Sequence, residues 1–199
     1  MTLSEFHAQL KAEGRWEDYL ARKKERDTAS RQLAKEYALA EEPLVQALQA
    51  AGVNVKSVWD LVSSVSSGYS EAIPVLLDHL RRKYPDAIRE GMARALAVPE
   101  AHSVWDQLKR LYREEKGPRT KDGLAVAIAV VATDDVIKDV IALARERDLG
   151  PSRILLLRAL ERSKDARARQ ALMELGTDPG LSKQIQAILN RIKKRTKHS

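Results

Sequence analysis

The chain has 199 residues, 44% hydrophobic, 32% charged and 5% aromatic, with a formal net charge of +7; such a composition describes a water-compatible protein long enough to bury one substantial core. It contains no cysteine, which excludes a disulfide scaffold, a thiol nucleophile and thiolate metal sites and suits a reducing compartment, so the expected location is cytoplasmic. The opening MTLSEFHAQLKAEG lacks the basic and apolar stretches of a signal peptide. The longest apolar run, Leu124 to Ala132, has nine residues against the roughly 20 that a helix needs to cross a bilayer, so it is expected as a buried helix and no membrane partner is expected.

Residues 1–40 read as a charged helical cap or arm. Thr2 and Glu5 have capping-box spacing for a short first helix, and after Gly14 a long helix is expected, with only Trp16, Tyr19, Leu20, Leu33 and Tyr37 as larger apolar groups. A first hairpin follows, built on Leu44, Val45 and Leu48, the turn AGVN, and Val55, Val58, Trp59, Leu61 and Val62. Beyond it, four prolines, Pro85, Pro118, Pro151 and Pro179, recur at separations of 33, 33 and 28 residues before or at the start of apolar helix-like runs. Each interval has room for two helices and a turn, which is the signature of stacked helical hairpins.

The individual repeats carry helical periodicity. Ile73, Leu76, Leu77 and Leu80 form one stripe at i, i+3, i+4, i+7, and Ile88, Met92, Ala95 and Leu96 form the next, with Pro85 at a helix start and Asp86 in the first turn. Val104, Trp105, Leu108, Leu111 and Tyr112 precede the turn EEKGPRT and the run Leu124–Val131, which is apolar almost all round and is expected to be the most buried helix. Val136, Ile137, Val140, Ile141 and Leu143 precede DLGPS, where Gly150 can end one helix and Pro151 can open another, then Ile154–Leu160. Ala168, Ala171, Leu172 and Leu175, the turn GTDPG, and Leu181, Ile185, Ile188, Leu189 and Ile192 make a shorter last repeat, expected as the C-terminal cap. The last nine residues carry +5 of the +7 without an acid, so residues 193–199 read as a basic tail, either a solvated end or a contact for phosphates or an acidic partner.

The run IPVLLDHLRRKYPDAIREGMARAL resembles a HEAT repeat, with Pro74 in the first helix, Asp86 in the turn, and Ile88 and Arg89 in the second helix. The resemblance extends over about residues 41–192 and implies an all-α fold, a HEAT-like α-solenoid of four to five antiparallel hairpins behind an N-terminal helical cap. It also implies that Asp86 and Arg89 belong to a polar ladder between repeats. Aligned on the turn prolines, the other repeats depart from the pattern: Gln107, Val140 and Ala168 stand at the first-helix proline, and Asp122 and Leu155 at the basic site, where Lys183 is the one basic match. The run SVWDLVSSVSSGYSEAIPVLLDHL is similar to small bacterial HEAT proteins of the immunity type.

No sequence pattern points to catalysis. His7, His79, His102 and His198 lack paired-ligand spacing, the phosphate-binding glycine motifs and GxSxG are missing, and Asp134 and Asp135 suit the start of a helix. No cofactor is expected. A solenoid's inner face is lined by the second helices of its repeats, where Arg89, Arg94, Lys121, Arg153, Arg158 and Arg162 offer candidate contacts for an acidic protein surface. The alternative is a solvated face with i,i+4 partners such as Glu90 and Arg94. Trp16, in the charged arm, is the candidate interface anchor, whereas Trp59 and Trp105 sit on core stripes. The leading functional expectation is a non-enzymatic interaction scaffold that binds a protein partner, with an immunity or antitoxin-like role as one form of it. The other is nucleic-acid binding, by the tail or in the manner of HEAT-like glycosylases that act on alkylated bases, for which Asp122 with Trp59 or Trp105 would have to serve.

Overall fold

In the computed structural model residues 1–63 and 68–196 are described, with side chains as far as residue 194. Residues 64–67, inside the SVWDLVSSVSSG run, and the last three residues of the basic tail therefore lie outside the described residues. Among the described residues the chain is all-α, with eleven α-helices, three short 3-10 segments and no strand. It divides into two compact units, Met1–Glu42 and Pro43–Ser199.

In the first unit, α1 (Leu3–Ala12) opens on the expected capping box. The Glu5 N–H donates to the Thr2 hydroxyl at 3.2 Å, and the Thr2 N–H donates to the Glu5 carboxylate at 2.7 Å, which pairs donors that a helix start leaves open. Gly14, with φ 68°, supplies the left-handed residue that turns the chain into α2 (Trp16–Ala50). Leu10 is buried at this corner, and Phe6, His7, Trp16 and Tyr19 form a cluster whose neighbouring rings have centres 5.0–6.1 Å apart. From Ala21 to Glu36 every residue of α2 is exposed. The sequence suggests a separate helix from about residue 41; instead α2 runs on to Ala50 with Pro43 inside it. Pro43 has no N–H for the Leu39 carbonyl, and the division between the units falls at this residue.

The second unit continues with α3 (Val58–Ser63), α4 (Ala72–Leu80), α5 (Asp86–Ala95), α6 (Trp105–Glu114), α7 (Pro118–Val131), α8 (Ile137–Arg145), α9 (Arg153–Arg162), α10 (Ala166–Leu175) and α11 (Ser182–Thr196). Helices α3, α5, α7, α9 and α11 form a row in which each packs on the next, while α4, α6, α8 and α10 each pack on the helix that follows them. Leu76, Leu80, Ile88, Met92, Leu96, Leu108, Leu124, Ile128 and Ile137 are fully buried along the seam, each contributing about 1.5–3 kcal/mol by leaving water. Close approach of α5 and α7 depends on Gly123, where a Cβ would stand 2.8 Å from that of Ala93 and 3.0 Å from the Glu90 carbonyl.

The four prolines mark turns, but not one fixed position in them. Pro85 immediately precedes α5, Pro118 is the first residue of α7, Pro151 lies in a 3-10 segment before α9, and Pro179 lies three residues ahead of α11. Gly150, at φ 76°, makes the reversal between α8 and α9. Three 3-10 segments, Pro99–Val104, Asp134–Val136 and Arg147–Ser152, fill connections that the apolar periodicity leaves blank, since pieces this short display no repeating face. At the other end α11 continues through Thr196, so the basic tail begins inside a helix.

Candidate functional site

The six candidate basic residues do not share one surface. Arg89 faces the seam between hairpins: Nη1 and Nη2 donate to Glu115 Oε1 and Oε2 at 3.0 and 2.6 Å, and Nη2 also donates to the Leu80 carbonyl at 3.1 Å. Arg153, only 6% exposed, repeats the arrangement. Its Nη1 donates to the Ala144 carbonyl at 2.9 Å and to Asp178 Oδ2 at 3.1 Å, and its Nε donates to the Gly150 carbonyl. Each arginine reaches back nine residues to the last turn of the preceding helix and forward to an acid in the next turn. The proline-based alignment overlooks this pairing because Arg89 lies four residues beyond its proline and Arg153 only two. The acids Glu115 and Asp178, which sequence reasoning missed, stand just before Pro118 and Pro179, and that position was the available signal.

The remaining candidates divide in the same way. Lys121 Nζ donates to the Glu115 carbonyl at 3.3 Å and lies 5.6 Å from the centre of the Tyr112 ring; burial, then the nearby Lys116, holds its pKa below the usual lysine value. Arg162 Nη2 donates to the carbonyls of Ala129, Val130 and Ala132, tying the C-terminus of α7 to that of α9 and placing a cation where the helix dipole favours one. Arg94 Nε and Arg119 Nε bind opposite oxygens of the buried Glu90 at 2.8 and 2.7 Å. Arg158 is exposed and has no hydrogen-bond or ion-pair partner among the described residues. The expected stripe Arg153, Arg158, Arg162 is thus broken, because five helical residues turn the side chain by about 140° and send Arg153 inward while Arg158 points out.

Asp86 joins the bonds between hairpins. Its carboxylate accepts from the N–H of Arg119 and Thr120 and from the Thr120 hydroxyl, across a separation of 33 or 34 residues, and so caps the start of α7 from α5. Trp105 Nε1 and Lys109 Nζ both donate to Asp139 Oδ2 at 2.8 and 2.5 Å, and Arg113 forks onto Glu146.

Arg158 stands at the rim of a groove of about 330 Å³ between α7, α9 and α11. Its walls are Val126, Ala129 and Val130 from α7, Ile154, Leu155 and Leu157 from α9, and Ile188 from α11. Ile154 is 39% exposed, an aliphatic side chain left open to water. At the polar edge Arg191 donates to both oxygens of Glu161 at 2.8 Å, so this acid is already matched in charge.

Of the residues required for base chemistry, Trp105 lies apart from Asp122. Trp105 is buried in α6, and Asp122 acts electrostatically on Tyr112, seven residues and about 10 Å further along that helix. Trp59 packs against Gly91 of α5, where a Cβ would meet its ring at 3.1 Å. Asp122 is half-buried with its pKa raised, by burial first and then by Glu90 and Asp86 against the opposing effect of Arg94. In the first unit Trp16 is half-buried, stacked on Tyr19 at 5.7 Å with Lys11 Nζ 4.9 Å from its ring centre, so it holds α1 against α2. Among the described residues no three His, Asp or Glu side chains are grouped to hold a metal ion, and no helix is long and apolar enough to cross a membrane.

No protein-family model matches the chain, and comparisons with curated proteins and with solved structures give no match.

Proposed function

We propose that the protein is a non-enzymatic interaction scaffold: a HEAT-like α-solenoid over about residues 41–192 that docks a protein partner on the row α5, α7, α9 and α11. The solenoid reading is supported by the order in which the helices of this unit pack and by the polar bonds that join successive hairpins at separations of 25 to 34 residues. The docking reading is carried by one observation, the open apolar groove between α7, α9 and α11. Of the six candidate basic residues, five are bonded within the chain and Arg158, which lines this groove, is not, among the described residues. A protein that acts by covering a partner needs no reacting groups, so an immunity or antitoxin-like role fits the same surface. Nucleic-acid binding finds less support, since Arg89, Arg153 and Arg162 are committed to carbonyls and carboxylates of the chain itself.

A photo-crosslinking residue placed at Ile154 tests this reading in cells, with one at the exposed Arg110 of α6 as the control. Crosslinks to a protein from position 154 and none from position 110 are expected. Crosslinks to nucleic acid alone, or the same proteins from both positions, would overturn it.

A further inference from the structure

We infer that the groove between α7, α9 and α11 takes an acidic, apolar segment of the partner protein, with Arg158 receiving the carboxylate. This rests on the docking role proposed above and specifies the chemistry of what docks. Ile154, Arg158 and Glu161 are spaced i, i+4, i+7 and therefore share one face of α9. On that face Ile154 contributes an open aliphatic surface, while both oxygens of Glu161 are taken by Arg191. The guanidinium of Arg158 is left as the groove's unmatched charge among the described residues. It lines the groove together with Val126, Val130 and Leu155, and an apolar segment seated there would shield it from water, so that a planar fork of donors holds a carboxylate more strongly than it would on an open surface.

The geometry also sets the spacing of the ligand's groups. Ile154 and Arg158 are one helical turn apart, about 6 Å, so an acid and a large aliphatic or aromatic side chain at i and i+3 or i+4 of a partner helix match them together. A nucleic acid would present repeated phosphates to a groove with aliphatic walls, without an aromatic ring among its lining residues for a base to stack on.

The test is selection of a displayed library of random 16-residue peptides on the full-length protein, in parallel with Arg158→Glu, Arg158→Gln and Ile154→Asp. Both positions are exposed, and thermal unfolding of each variant verifies that it folds. The wild type is expected to enrich peptides with Asp or Glu three or four residues from Leu, Ile or Phe. A synthetic peptide made from that consensus is expected to bind each variant at least tenfold more weakly. Enrichment without acids, no enrichment, or affinity indifferent to Arg158 would overturn the inference. Peptides whose binding depends on Arg94 rather than Arg158 would overturn it while leaving the scaffold role standing. Binding of a 20-base-pair DNA duplex in place of any peptide would overturn both. A wild-type dimer in light scattering that Ile154→Asp dissolves would identify a second copy as the occupant and also refute the acidic segment.

Discussion

Arg89 and Arg158 are both arginines of the same helix row, and they are expected to respond in opposite ways to removal. Arg89→Ala leaves the buried Glu115 carboxylate without its bidentate partner and the Leu80 carbonyl without its donor. Breaking such a pair from one side costs about 3 kcal/mol, which the urea midpoint will report. Arg158→Ala removes an exposed, unpartnered side chain and is expected to change stability by less than about 0.5 kcal/mol. At this scale the sequence was only partly legible. The pair Glu90 and Arg94 follows from i,i+4 spacing, but the second partner of Glu90, Arg119, lies 29 residues away, and no local rule connects them. The reach of Arg153 was hidden for a related reason, since its position counts from the end of α8 and not from Pro151.

Helix α7 shows what an element demands of a single residue. Ala exceeds Gly in helix propensity by about 1 kcal/mol, so Gly123→Ala would stabilise an isolated helix. In the folded unit the added methyl meets the Ala93 Cβ at 2.8 Å and the Glu90 backbone at 3.0 Å, and forcing α5 and α7 apart is expected to cost about 1–3 kcal/mol. Chemical denaturation should therefore show a net loss, and a gain would mean that the two helices are not in close contact. The 3.6-residue period made most of these helices visible in sequence, and the burial of α7 follows from its nearly unbroken Ala and Val content. The 3-10 connections and the uninterrupted α2 were not visible, the first for want of a repeating face and the second because the composition changes near residue 40 while the helix does not end.

Across the second unit the ties between hairpins share an acid–base character, and this sets the pH dependence of the whole. Asp139 is held below its usual value by the Lys109 ammonium and then by the Trp105 N–H; Glu146 is held below by Arg113, and Asp178 by Arg153. Groups depressed on folding bind fewer protons folded than unfolded. Their contribution is complete above the ordinary values of 3.8 for aspartate and 4.5 for glutamate and is lost as pH falls through the depressed ones. Burial likewise holds the His79 pKa below its ordinary value of 6.5, so urea midpoints recorded from neutral pH downward are expected to start falling there and to decline further through the carboxylate window, and Asp139→Asn should flatten that second decline.

The groove, by contrast, could not be located from sequence: its walls come from three helices, and the stripe that suggested a basic face combined inward and outward residues. The most direct measurement is capture of partners from native lysate, after nuclease treatment and at moderate salt, by the tagged wild type and by Ile154→Asp side by side. The account predicts a stoichiometric protein partner on the wild type that is missing from the variant. An identical set of bound proteins on both, or none on either, would contradict it.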